Sequence, residues 1–274
     1  MNRVKDNILR GLLWFSAFIS VAILVVIVGY IFYKGFRLIS FDFIFGDYSP
    51  TEGGGIWPMI VTTIYSILIS LAIATPIGIL AAVYLHEYAK QGRLVKIIRY
   101  ATESLTGIPS IIYGLFGAVF FVATLKLGMS IIAASLTLTI IVLPVIIRTT
   151  EEALKTVPNT YREGSLALGT TKLQTLYKII LPSAMPGILS GIILSIGRIV
   201  GESAAIFLTA GTVAAMPDSI FSSARTLTVH SYLVTQETGN IELAAAIGIV
   251  LIVIILVLNL SATYISKKFN KANH

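Results

Sequence analysis

Two charged side chains sit where the sequence is otherwise apolar: Arg198 and Glu202 interrupt the stretch 186–210. On a helix they fall at i and i+4, one turn apart on the same face. A charge at mid-depth in a bilayer costs roughly 2.5–3.5 kcal/mol on insertion scales, so both should face protein or a water-filled cavity. Two readings follow. In one, the guanidinium offers a planar set of donors to an oxyanion such as phosphate, and Glu202 keeps the ion from being trapped. In the other, the pair is a salt bridge that only fixes helix packing, with Gly187-x-x-x-Gly191 and Gly197-x-x-x-Gly201 permitting close helix contact. Arg148, just past the stretch 129–147, is either an interface anchor or an anion contact at the inner mouth.

Other chemistry finds little support. With no cysteine, the chain excludes thiol nucleophiles, disulfide scaffolds and Cys-based metal sites. His86, His230 and His274 are far apart and make no metal-ligand pattern, so surface roles are expected and no metal site is assigned. Thr51-Glu52-Gly53-Gly54-Gly55 reads as a turn before Trp57, an aromatic anchor at the membrane interface. It is not a phosphate loop, because G-x-x-x-x-G-K-[ST] is absent, and the chain therefore cannot hydrolyse ATP through such a site. Asn259 is expected to hydrogen-bond between helices. No nucleophile–base arrangement appears.

The elements that carry these residues follow from composition. Of 274 residues, 56% are hydrophobic and 12% charged, where a soluble domain has about 25% charged. Mean hydropathy is +0.89. A soluble globule could not cover itself with so few polar groups. A span needs about 20 mostly apolar residues, and six stretches qualify: 12–32, 56–85, 108–125, 129–147, 186–210 and 243–264. The expectation is an all-α membrane protein in which 12–274 is one six-span domain behind a basic lead, 1–11. The first span is too long for a signal peptide and lacks a small-x-small cleavage site, so it is expected to be retained. Pro76 and Pro144 are expected to bend their helices. With both termini inside, fifteen Lys and Arg lie on the cytoplasmic side and four outside, the bias that orients membrane proteins. The net charge of +7 thus belongs to cytoplasmic loops beside the membrane lipids, not to a nucleic-acid surface. The basic loop 87–107 has the makings of a short interfacial helix, and 211–242 is expected to be an outer loop.

The longest inner loop, 149–183, contains Glu163-Gly164-Ser165-Leu166-Ala167-Leu168-Gly169. Gly169 can end a helix because it adopts left-handed dihedrals without penalty. Lys172 then opens a second short helix, 172–180, expected to stop before Pro182. Two short helices with a bend make a knob, which taken alone is an ordinary helix–turn–helix connector.

The frame E-x-x-x-x-x-G-x₉-I-x-L-P, from Glu163 to Pro182, resembles the EAA loop of binding-protein-dependent ABC importer permeases, with Gly164 and Ser165 in place of its two alanines. Gly107-Ile108-Pro109-Ser110, Arg148-Thr149-Thr150-Glu151-Glu152, Gly53-Gly54-Gly55-Ile56-Trp57-Pro58 and Arg225-Thr226-Leu227-Thr228-Val229-His230 resemble phosphate-specific permeases of the PstA type more than their PstC-like partners. The resemblance implies a type I ABC importer permease in a bacterial or archaeal plasma membrane, moving inorganic phosphate inward. It implies three partners: a PstC-like permease, two PstB-like ATPases that use ATP-Mg, and a PstS-like extracytoplasmic phosphate-binding protein. The chain itself would hold no cofactor and would not be an enzyme. Glu163, Gly164, Ser165, Leu168, Gly169 and Lys172 would couple to the ATPase, and Arg198, Glu202 and Arg148 would line the substrate pathway. Sulfate, molybdate and phosphonate are the alternative substrates; a non-transporting scaffold or sensor would leave the coupling loop without purpose.

Overall fold

The computed structural model describes residues 3–49 and 54–272, and its regular elements are all helices, with no strand among the described residues. Thr51, Glu52 and Gly53 of the glycine run, the first two residues of the lead, and His274 lie outside the described residues. In chain order the helices are α1 (Arg3–Gly35), α2 (Phe41–Phe45), α3 (Trp57–Val83), α4 (Arg93–Thr106), α5 (Ser110–Gly117), α6 (Ile131–Thr156), α7 (Asn159–Ala167), α8 (Lys172–Thr175), α9 (Leu181–Gly201), α10 (Ala204–Thr209), α11 (Leu227–Leu233) and α12 (Ile241–Ala272). Five stretches are long and apolar enough to cross a membrane: Leu9–Leu38, Trp57–Tyr88, Ile131–Thr156, Lys172–Gly201 and Ile241–Tyr264. A sixth arises if Arg93–Thr106 and Ser110–Thr124, which meet at 100°, are one bent span.

Helix α6 is the axis of the bundle and packs on α3, α9, α5, α10 and α4. Small side chains set the approach of α9: a Cβ on Gly187 would strike Ala153, and one on Gly191 would strike Thr149. The second small-residue pair does no such work, since nothing lies within 4 Å of a Cβ at Gly197 or Gly201. α3 is tied to α6 by Ser70 Oγ, which donates to the Ser135 carbonyl at 3.1 Å. α1 stands apart, packing on α12 and the turn that follows α1, with its apolar flank otherwise exposed.

Four expectations need correction. The inner loop expected over 149–183 begins later, because α6 runs on to Thr156. The helix from Lys172 does not stop before Pro182. It continues through Pro182 and Pro186 to Gly201 as one 30-residue span. A wide turn at Leu176–Ile180, in which Leu181 N–H reaches back to the Leu176 carbonyl, makes room where a proline ring would otherwise clash. The span expected over 186–210 is broken at Gly201. Finally, 211–242 is not simply an outer loop. Its helix α11 buries Leu227, Val229, His230 and Leu233, and Val229 belongs to the central core with Ile141 and Val200.

Candidate functional site

The break at Gly201 creates the first element of the site. Glu202 turns into extended backbone (φ −77°, ψ 129°), and its carboxylate accepts from Ala205 N–H at 3.1 Å, capping the start of α10. The Val200 carbonyl, left over at the end of α9, accepts from Thr228 Oγ1 on α11. Both orphaned backbone groups are thus satisfied by side chains from outside the helix that lost them. The expected Arg198–Glu202 pair is not formed: among the described residues no carboxylate lies within ion-pairing distance of Arg198. The chain leaves the helix before the i+4 position, so the two side chains no longer share a face. Arg198 sits in the last turn of α9, partly buried, while Glu202 is buried. Counting from the Gly191–Thr149 contact, Arg198 lies about 10 Å further along the bundle, well inside it.

Arg148 is not part of this group. Its side chain is exposed and paired with Glu103 of α4 at 3.1 Å. It belongs to a cluster with Arg99, Glu151, Glu152 and Lys155 around a cavity of about 140 Å³ at the end of the bundle. Within it, Arg99 of α4 pairs with the buried carboxylate of Glu151.

The knob is the second element. α7 ends as the glycine suggested. Gly169 has φ +81°, its N–H donates to the Leu166 carbonyl at 2.9 Å, and Thr170 N–H reaches the Ser165 carbonyl at 3.4 Å. That reciprocal pair is the Schellman closure of a helix C-terminus. Thr171 and Gln174 then form a capping box that starts α8. Glu163, Gly164, Leu168, Gly169 and Lys172 are exposed, Leu168 most of all at 87%. Ser165 faces the other way: its hydroxyl is buried and joins those of Thr170 and Thr175 at 2.7 and 3.0 Å, clasping α7 to α8.

One residue of the knob was missed by sequence reasoning. Arg162 donates to Glu87 at 2.7 and 3.2 Å, to the Leu154 and Val157 carbonyls at 3.3 and 3.1 Å, and to Asn159 Oδ1 at 3.2 Å. It therefore joins the end of the α3 span, the end of α6 and the start of α7. Its position immediately before Glu163 was the available signal. His230 was misread too: it is buried, its ring meets Tyr48 edge-on, and Arg225 stacks over the same tyrosine at 4.8 Å. Burial, and then the Arg225 cation, push this imidazole down to about 3, so it is neutral.

The chain matches, over residues 74–271, the family described as binding-protein-dependent transport system inner membrane component. It belongs to that family. Among its relatives, the probable ABC transporter permease protein YqgI of Bacillus subtilis is 36% identical, with 99% of this chain and 98% of the relative covered. The phosphate transport system permease protein PstA of Mycobacterium leprae is 31% identical over 94% of this chain and 87% of its own length. A chain of the crystal structure of a bacterial alginate ABC transporter, in complex with an alginate pentasaccharide-bound periplasmic protein, superposes with a TM-score of 0.68 at 17% identity. It covers 98% of the permease and 99% of its own length, and so shares the type I importer fold.

In this permease, Arg162→Ala is expected to lower transport about tenfold or more, the equivalent of losing one buried charge-assisted hydrogen bond, while the spans still insert. Exchanging the charges, Arg162→Glu with Glu87→Arg, should recover part of it. Uptake by Arg162→Ala equal to wild type at equal expression would show that the clamp does not hold the knob.

Proposed function

We propose that the chain is the membrane permease subunit of an ATP-driven importer for inorganic phosphate. The observation that carries this reading is Arg198: a guanidinium inside the bundle, beside a helix break, with no carboxylate partner among the described residues. A partly buried cation without a counter-ion carries an uncompensated desolvation cost, and a passing oxyanion would supply the missing charge for the time it is bound. Relatives named as phosphate transport permeases support the choice of ion. Glu202, whose carboxylate is occupied by its cap, contributes negative potential nearby without neutralising Arg198.

On this reading both termini are cytoplasmic and the knob faces the cytoplasm. There the exposed residues Glu163, Gly164, Leu168, Gly169 and Lys172 dock on the ATPase, while Ser165 holds the knob in shape. One six-span chain is half a pathway. A PstC-like permease supplies the other half, two PstB-like ATPases use ATP-Mg beneath them, and a PstS-like protein delivers phosphate from outside. Arg148, tied to Glu103, serves as an anchor at the inner end. The relative YqgI carries no substrate in its name, which keeps sulfate, molybdate and phosphonate as the second reading.

The deciding experiment reconstitutes the complex with its binding protein in proteoliposomes. ATP-dependent uptake of labelled phosphate, undiminished by excess sulfate, molybdate or phosphonate, is the expected result. Uptake of one of those ions in its place would move the assignment to it.

A further inference from the structure

Helix α4 presents a surface that the transport reading leaves unused. Val95 and Thr102 turn toward the bundle, while Leu94, Ile97, Ala101 and Leu105 lie on an exposed arc. Leu94 is 70% and Ile97 64% exposed. Beside this apolar arc stand Arg93 and Lys96, with Lys90 just before the helix; all three are exposed and make no ion pair among the described residues. The acid on that flank, Glu103, is already taken by Arg148.

Attitude is the second observation. The chain turns through 100° between α4 and Ser110–Thr124. α4 contacts the last turns of α6, so it sits at the end of the bundle, at a sharp angle to the segment it leads into. Two ion pairs to α6, Arg99–Glu151 and Arg148–Glu103, hold it there. The segment it leads into exposes Ile111, Ile112, Leu115 and Val119, as a lipid-facing segment does.

We infer that α4 is an interfacial helix that binds anionic phospholipid. Leu94 and Ile97 rest at the acyl boundary, and Lys90, Arg93 and Lys96 meet the phosphate headgroups. An apolar face, low net hydrophobicity and cations on the polar side define helices that lie in the membrane surface, and unpaired Lys and Arg there select acidic lipids. A protein partner would have to place carboxylates for three cations; a leaflet of acidic lipid presents phosphates to all three without a matched fold. The inference does not depend on which ion the permease carries.

This chain has no native cysteine, so with cysteine-free partner subunits an introduced cysteine is the one thiol to label. Ile97→Cys carries an environment-sensitive fluorophore in the importer purified with its own partner subunits and placed in nanodiscs. Brominated acyl chains should quench the label, with several-fold stronger quenching when phosphatidylglycerol replaces phosphatidylcholine. The same label at Gln174→Cys, on the knob, should not be quenched. Arg93→Gln with Lys96→Gln should remove the phosphatidylglycerol preference and leave the basal quenching. No quenching at position 97 in any lipid, or a cross-link from it to a second permease, would overturn the lipid assignment. Equal quenching in both lipids, unchanged by the double variant, would overturn the headgroup recognition.

Discussion

Arg198→Gln is expected to reduce phosphate uptake by roughly ten- to a hundredfold, the loss of one charge-assisted hydrogen bond to a passing ion, while the complex still assembles and hydrolyses ATP. Because Arg198 and Glu202 are not paired, the two positions should act independently. Glu202→Gln keeps an oxygen that can accept from Ala205 N–H and should cost only a few tenths of a kcal/mol in stability, up to about 1 for the charge lost at the start of α10. Glu202→Ala, which removes the cap, should cost about 1 kcal/mol. The double change Arg198→Gln with Glu202→Gln should transport no better than Arg198→Gln alone, since no ion pair joins the two and Arg198→Gln leaves no orphaned partner to relieve. Rescue by the double change would mean that the two charges interact and that packing, not passage, is their role. Arg198→Lys should fall between, keeping the charge but losing the planar donor set. Measured together with expression and ATP hydrolysis, labelled phosphate uptake decides among these outcomes.

Gly169→Val is expected to cut both uptake and the stimulation of the ATPase by loaded binding protein, without affecting insertion. The residue sits at φ +81°, where a side chain costs about 1–2 kcal/mol and a β-branched one more. Nothing lies within 4 Å of an added Cβ, so the penalty is conformational and falls on the closure that positions Thr170 against Ser165 and Thr175. Asn tolerates the left-handed region, so Gly169→Asn should retain most activity. If both variants are inactive, a partner surface approaches Gly169 too closely for any side chain. If both are fully active, the knob is not the coupling element.

Local signals read well and long-range ones did not. The apolar stretches located five of the helices that can cross a membrane, because burial in lipid is written in hydropathy. Gly169 announced the end of α7, since the preference for φ > 0 is a property of one residue. The break at Gly201 left a weaker mark: a glycine can end a helix, but Gly197 offers the same signal and α9 runs through it. What ends the helix is a cap on Val200 from Thr228, 28 residues away. The stop expected at Pro182 failed for a related reason, because a wide turn can absorb a proline and hydropathy does not register turn width. Ser165 looked like a docking residue by position alone; its partners Thr170 and Thr175 show which way it points only once the knob has folded.

The unbroken helix from Lys172 to Gly201 has a mechanical consequence. Had the chain hinged before Pro182, the knob could rock on its tether and the membrane segment would feel nothing. Instead Arg198 stands at the far end of a rod that starts in the knob, about 39 Å from Lys172 at 1.5 Å per residue. A tilt of about 5° at the base swings the tip by about 3 Å, the length of one hydrogen bond. On the proposed reading, a modest closure of the ATPases is thus enough to carry the Arg198 guanidinium from contact with a bound oxyanion to out of its reach.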